Sequence, residues 1–149
     1  MTKIFSFFLA ALLILSTSSF AQSPPQVPDF LSPDWELTDT IKTPSAPGLV
    51  EMSRFYRDSS QDNVVVLFSV VYESEQNREE DVFMLFAKST DLDPWVALKV
   101  DGKWYVSKDQ KLDNLNFSGI FDQNNNQVGV RVALDTAEGL KEREVMFPK

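Results

Sequence analysis

Trp95-Val-Ala-Leu-Lys-Val-Asp-Gly-Lys-Trp-Tyr-Val106 is the stretch that decides the fold class. A type I′ turn needs positive φ at both central positions, and Asp101-Gly102 supplies it between two apolar, β-branched and aromatic runs. The chain is therefore expected to reverse at Asp101-Gly102, joining strands Trp95 to Val100 and Lys103 to Ser107. A two-residue turn also fixes register: Lys99 faces Trp104, Ala97 faces Val106 and Trp95 faces Lys108 on one side of the ribbon. Val96, Leu98, Val100 and Tyr105 fall on the other side, the natural core face. Trp95 and Trp104 are then left on a half-solvated face beside Lys99. These three, with Trp35, are the candidate binding residues, because Trp rings serve as interface anchors or as platforms for sugar rings. Lys99 over Trp104 reads equally well as a local cation–π pair with no ligand. A covering N-terminal segment or second sheet is the plainer expectation for these rings.

Working outward, Asn63 to Tyr72 (Asn-Val-Val-Val-Leu-Phe-Ser-Val-Val-Tyr) and Val82 to Ala87 (Val-Phe-Met-Leu-Phe-Ala) read as central strands. The acidic stretch Glu73 to Glu80 is their connecting loop. Helix is the competing reading for Glu79 to Ser89, since Glu, Met, Leu, Ala and Lys form helices well. Both runs are apolar at successive positions, so both faces must be covered, although an antiparallel sheet ordinarily leaves one face to water. The segment Phe30 to Ile41, with Trp35 and Leu37, has the side chains to provide that cover. A second subunit or a partner is the alternative. Asn116 to Phe121 and Val128 to Leu134 flank a polar loop as a second hairpin, with Val128, Val130, Val132 and Leu134 on one face. Asp135 and Glu138 have the spacing of a capping box, so one helical turn is expected before a last strand at Glu144 to Phe147. The sum is a mainly β chain: an antiparallel β-sandwich or partly open barrel-like sheet with at most one or two short helical turns.

The N-terminus divides from this pattern. Lys3, the mostly apolar run Ile4 to Leu15 and Ser19-Phe20-Ala21 have the order of a cleaved secretory leader, giving residues 1–21 as signal peptide. The run is shorter than the roughly 20 residues that span a bilayer. Cleavage removes Lys3 and no acidic residue, making the mature chain one unit more acidic than the formal −8. Residues 22–48 form a Pro-rich extended segment packing on the core, and residues 49–149 form the antiparallel β domain. The expected setting is periplasmic or secreted, in soluble form without a stable membrane anchor.

Composition narrows the chemistry. Among 149 residues there is no cysteine and no histidine, which removes disulfides, thiolate metal sites, Cys nucleophiles and the usual general base near pH 7. With 14 Lys and Arg against 22 Asp and Glu, nothing favours nucleic acid. Asp122-x-Asn124-x-Asn126 places oxygens at positions 1, 3 and 5 of a calcium loop, but Gln127 stands where glycine is required and Ala133 where a bidentate Glu is required. A polar hairpin loop is the better reading of Asp122, Asn124 and Asn126. No nucleophile elbow, phosphate loop or dinucleotide fingerprint occurs, so no catalytic residue and no cofactor is assigned. The sequence therefore points to an exported, non-enzymatic interaction module engaging a protein partner or itself through apolar and aromatic sheet surface. A small-ligand or carbohydrate binder using the tryptophans is the alternative, and a hydrolase with scattered carboxylates the third reading.

Overall fold

The computed structural model describes residues 24–60 and 62–149; the leader assigned to residues 1–21 lies outside them. Within the described residues, nine strands form two antiparallel sheets. β1 (Trp35–Ala46), β2 (Leu49–Asp58), β3 (Asn63–Tyr72), β4 (Arg78–Lys88), β5 (Trp95–Val100) and β6 (Lys103–Val106) follow one another in a six-stranded meander. β7 (Leu115–Phe121), β8 (Gln127–Thr136) and β9 (Gly139–Met146) make a three-stranded meander. The only helical pieces among the described residues are two single 3₁₀ turns, Glu73–Glu75 and Leu112–Asn114. The sandwich expected from the spacing of strands and turns is thus the fold.

The Asp101-Gly102 hairpin forms as expected. Asp101 and Gly102 take φ of 50° and 79°, and Lys99 pairs with Trp104 and Ala97 with Val106. Its far end departs from expectation, because Trp95 pairs with Phe86 on β4 and not with Lys108. Ser107 is the cause. Its amide donates to Val96 O at 2.7 Å and its hydroxyl accepts from Val96 N at 3.1 Å, which ends the ladder. The chain then crosses to the small sheet, where Ser107 bridges Thr136 and Lys108 N reaches Asp135 O at 3.0 Å.

Glu79 to Lys88 resolves as strand, with Ser89 in the turn beyond it, since β4 is hydrogen-bonded between β3 and β5 and carries apolar side chains on both faces. The two faces go to two cores. Between the sheets, Phe68, Phe83, Leu85, Val96 and Leu98 meet Val130, Val132, Leu134 and Val145, with Phe68 and Phe83 stacked at 4.4 Å. On the outer face, Val65, Leu67, Met84, Phe86, Trp95 and Ala97 are covered by Val27, Phe30 and Trp35. The chain's own N-terminal segment therefore supplies the cover that the two-faced apolar strands demand. It does so with Phe30 and Trp35, whereas Leu31, Leu37 and Ile41 are exposed. The segment before residue 49 also contributes a strand of the sheet, with β1 paired to β2 from Trp35 to Ala46.

One expectation fails at Asp135 to Glu138, where a tight turn between β8 and β9 replaces the helical turn. The Thr136 hydroxyl accepts from Glu138 N at 3.1 Å and donates to Gly139 O at 2.6 Å, and Gly139 takes φ of 98°. That hydroxyl closes the reversal locally, so the last strand starts at Gly139 instead of Glu144.

β9 runs crosswise over the large sheet. Lys141 Nζ lies 4.7 Å from the Tyr105 ring of β6, Arg143 reaches carbonyls on β5 and β4, and Met146 O accepts from the Tyr72 hydroxyl of β3 at 3.0 Å. Four successive strands are thus tied to one. No helix among the described residues is long and apolar enough to cross a membrane.

Candidate functional site

The candidate binding residues gather on the outer face of the large sheet. Alternation along β5 and β6 puts Trp95, Ala97 and Lys99 there with Trp104 and Val106. Trp95 is only 6% exposed, while Trp35 and Trp104 are half-buried against the same cluster. Lys99 is occupied within the chain: its ammonium lies 3.7 Å from Asp81 Oδ2 and 5.5 Å from the Trp104 ring centroid. The structure brings Trp35 and Trp95 to one cavity of about 370 Å³, which Trp104 does not line. Phe86 adds a third aromatic wall, Asn63 and Gln110 add amides, and the N-terminal prolines Pro25 and Pro28 close one side.

A second concavity, of about 680 Å³, lies where β9 meets the ends of β4 and β5. Glu79, Glu80, Asp81, Glu142 and Glu144 make it acidic. Most of these carboxylates already have cations: Arg54 holds Glu79, Arg78 and Arg143 hold Glu80, Lys99 holds Asp81 and Arg131 holds Glu144. Among the described residues, no group of three acidic side chains is placed to hold a metal ion. Asp122, Asn124 and Asn126 form a self-contained turn. Asp122 Oδ1 accepts from Asn126 N at 2.9 Å and from Asn124 N at 2.8 Å, with Asn125 at φ 62°. Those amides hold the Asp122 carboxyl below its ordinary pKa, the Asn126 backbone contributing most. The oxygen that a cation would need is aimed into the loop's own backbone.

Two groups escaped sequence reasoning. Glu51 on β2 is fully buried, and neither carboxylate oxygen has a hydrogen-bond partner among the described residues; Ser53 Oγ, two residues on and on the same face, is in the same condition. Burial alone lifts the Glu51 pKa from 4.5 to about 8, so at neutral pH its carboxyl is mostly protonated. Parity along β2 was the available signal, since Leu49, Glu51 and Ser53 share the face on which Leu49 enters the core. Arg143 is the other, and its partners lie too far away in sequence to be read.

The free surface sits at the edges. β1 is the outermost strand of its sheet and is exposed along most of its length, with Leu37 at 49% and Ile41 at 38%. The register places the two on opposite faces: Ile41 opposite Ser53, Leu37 opposite Tyr56, with a bulge between Leu37 and Asp39. Phe121, Leu140 and Met146 are exposed on the small sheet.

The fold and these surfaces define a two-sheet antiparallel β domain with exposed apolar side chains suited to protein contact. Compared with known protein families, curated proteins and solved structures, the chain matches none.

Proposed function

We propose that this chain is an exported, non-enzymatic interaction module that engages a protein partner, or a second copy of itself, through apolar sheet surface at β1. The observation that carries the reading is that edge strand: twelve residues long, outermost in its sheet, with Leu37 and Ile41 open to solvent. An edge strand offers a row of backbone donors and acceptors to an incoming strand, and the side chains on each face supply selectivity. The bulge at Thr38, Pro44 and the charges of Asp39 and Lys42 limit indiscriminate pairing, as edges in natural sheets do. Export is supported by the leader pattern of residues 1–21. The absence of His and Cys, together with the ion pairing of the acidic groove, supports binding over catalysis.

The test uses the mature protein and a Leu37→Lys/Ile41→Lys double variant, each confirmed as folded by circular dichroism. Both are run in sedimentation velocity alone and then used as baits against envelope extract. An oligomer or a retained protein that is present with the wild type and lost with the variant supports the reading. Identical behaviour of the two baits removes it.

A further inference from the structure

We propose that β1 pairs antiparallel with β1 of a second copy in a single register, with Ile41 opposite its own counterpart. The proposal rests on the β1 reading above and names its partner. The strand is regular only between two interruptions. Thr38 is the extra residue of the bulge, its hydroxyl donating to Phe55 O at 3.2 Å, and Pro44 has no N–H to offer an incoming strand. Both stand equally far from Ile41, one on each side. In an antiparallel self-pair centred on Ile41, Pro44 of each copy therefore falls opposite Thr38 of the other, and all of Asp39 to Thr43 pairs between them. A strand of foreign sequence would give no reason for that symmetry.

Backbone and side chains agree with this register. The Phe55 carbonyl faces β1 opposite Asp39, so alternation points the main-chain groups of Asp39, Ile41 and Thr43 at β2 and those of Thr40 and Lys42 outward. Thr40 N accordingly donates to Asp39 Oδ1 at 2.8 Å, on the open side of the strand. In the pair, Thr40 exchanges main-chain hydrogen bonds with Lys42 of the second copy, and the Asp39 carboxylate it releases lies opposite a Thr43 hydroxyl. Ile41 meets Ile41 as a non-hydrogen-bonded pair, the kind with the closer side chains, which covers a residue 38% exposed in the single chain. Residues opposite each other share a face, so a two-fold axis can pass only through a residue position. An axis at Asp39 or at Lys42 sets like charges directly opposite, and an axis at Thr40 sets the bulge residue against Lys42. Centred on Ile41, the contact uses the same surface of both copies and closes at two.

The absence of cysteine makes the register directly testable. Ile41→Cys and Leu37→Cys each give the mature chain a single thiol, at two exposed positions of one strand. The wild type is expected to sediment in a concentration-dependent monomer–dimer equilibrium. Under mild oxidation Ile41→Cys should form a covalent dimer, because facing residues of a non-hydrogen-bonded pair lie within disulfide reach. Leu37→Cys, beyond the bulge and not opposite itself, should cross-link about tenfold more slowly or less. Ile41→Lys should weaken self-association about tenfold by setting two lysines opposite each other, and Leu37→Lys should leave it unchanged. The proposal is overturned if the wild type stays monomeric at millimolar concentration, or if the two thiols cross-link at equal rates. A monomeric wild type that still retains an envelope protein, lost with the Leu37→Lys/Ile41→Lys variant, overturns the self-pair alone and leaves the partner reading of β1 standing.

Discussion

Arg143 Nη1 donates to the main-chain carbonyl of Lys99 at 2.9 Å, and the same nitrogen donates to the carbonyl of Asp81 at 2.8 Å. Both acceptors are ones the large sheet leaves over. In a two-residue hairpin Lys99 and Trp104 are a non-hydrogen-bonded pair, so the Lys99 carbonyl points toward β4, yet the β4–β5 ladder ends at Phe83 opposite Leu98. Asp81 lies next to the bulge created by Val82 between β3 and β4. A guanidinium from the small sheet thus satisfies two carbonyls where β4 and β5 part, while its Nη2 reaches Glu80 Oε2 at 3.2 Å.

Arg143→Ala is accordingly expected to lower the free energy of unfolding by about 2–4 kcal/mol, since it strands half-buried acceptors and leaves Glu80 with one cation fewer. Arg143→Lys should recover little of this, because one ammonium lacks the planar fork. Urea unfolding of the three proteins checks it; a loss under about 0.5 kcal/mol for the alanine variant would mean that water replaces the clamp.

Glu51 gives a pH dependence of definite sign. Its folded-state pKa of about 8 stands above the ordinary carboxyl value of 4.5, so between those limits the folded chain holds a proton that the unfolded chain has released. Stability must then fall as pH rises through this window and level off above pH 8, by several kcal/mol in all. With no histidine in the chain, no other side chain type ordinarily titrates in the part of this window between about pH 5 and 8. Glu51→Gln should flatten the slope and be more stable than wild type at pH 8.5 but not at pH 4.5. Thermal melts across that range make the comparison, and parallel curves for the two proteins would show that the carboxyl is solvated.

Two glycines should respond differently to alanine. At Gly102 a Cβ would meet no described atom within 4 Å, so the cost is conformational alone, about 1 kcal/mol for φ of 79°. At Gly129 a Cβ would sit 2.8 Å from Val145 O and 3.0 Å from Met146 Sδ, and the first of these is backbone. Gly129→Ala must push β9 away from β8 and is expected to cost about 2–3 kcal/mol or more. Denaturation midpoints in the reverse order would contradict this assignment.

Phe30 covers the outer core, its ring 5.3 Å from that of Tyr56. Phe30→Ala should cost about 1–3 kcal/mol, less than a fully buried phenylalanine. It should also raise the binding of a hydrophobic dye as Met84 and Trp95 lose part of their lid. Unchanged dye binding would mean that Val27 and Trp35 cover the face without it.

Much of the fold was legible because its signals are local. Asp101-Gly102 names a turn type, and the apolar runs of β3 and β4 announce strands with two buried faces. Ser107 escaped because its hydroxyl ends a ladder that periodicity alone would continue to Lys108. Thr136 escaped for a like reason: a side-chain hydroxyl decided between a hairpin and the helical turn that Asp135 and Glu138 suggested. Of the candidate site, Trp95 and Trp104 were legible as aromatic residues on one face of the hairpin, and Trp35 only as a candidate from the N-terminal segment. Their separation was not, because whether Trp35 reaches Trp95 depends on where the segment before β1 lies. Glu51 and Arg143 depend on the second sheet, which strand patterning foretells without orienting.

The crosswise path of β9 also has a kinetic consequence. Every strand of the large sheet pairs with its neighbour in the chain, so those ladders can zip in order with short loop closures. The ties made by β9 are different: Arg143 to Lys99 spans 44 residues and Tyr72 to Met146 spans 74. They form late on entropic grounds, after the local ladders. A chain halted before Leu115 would carry a complete six-stranded meander with one apolar face bare, the species most prone to stick to its own kind.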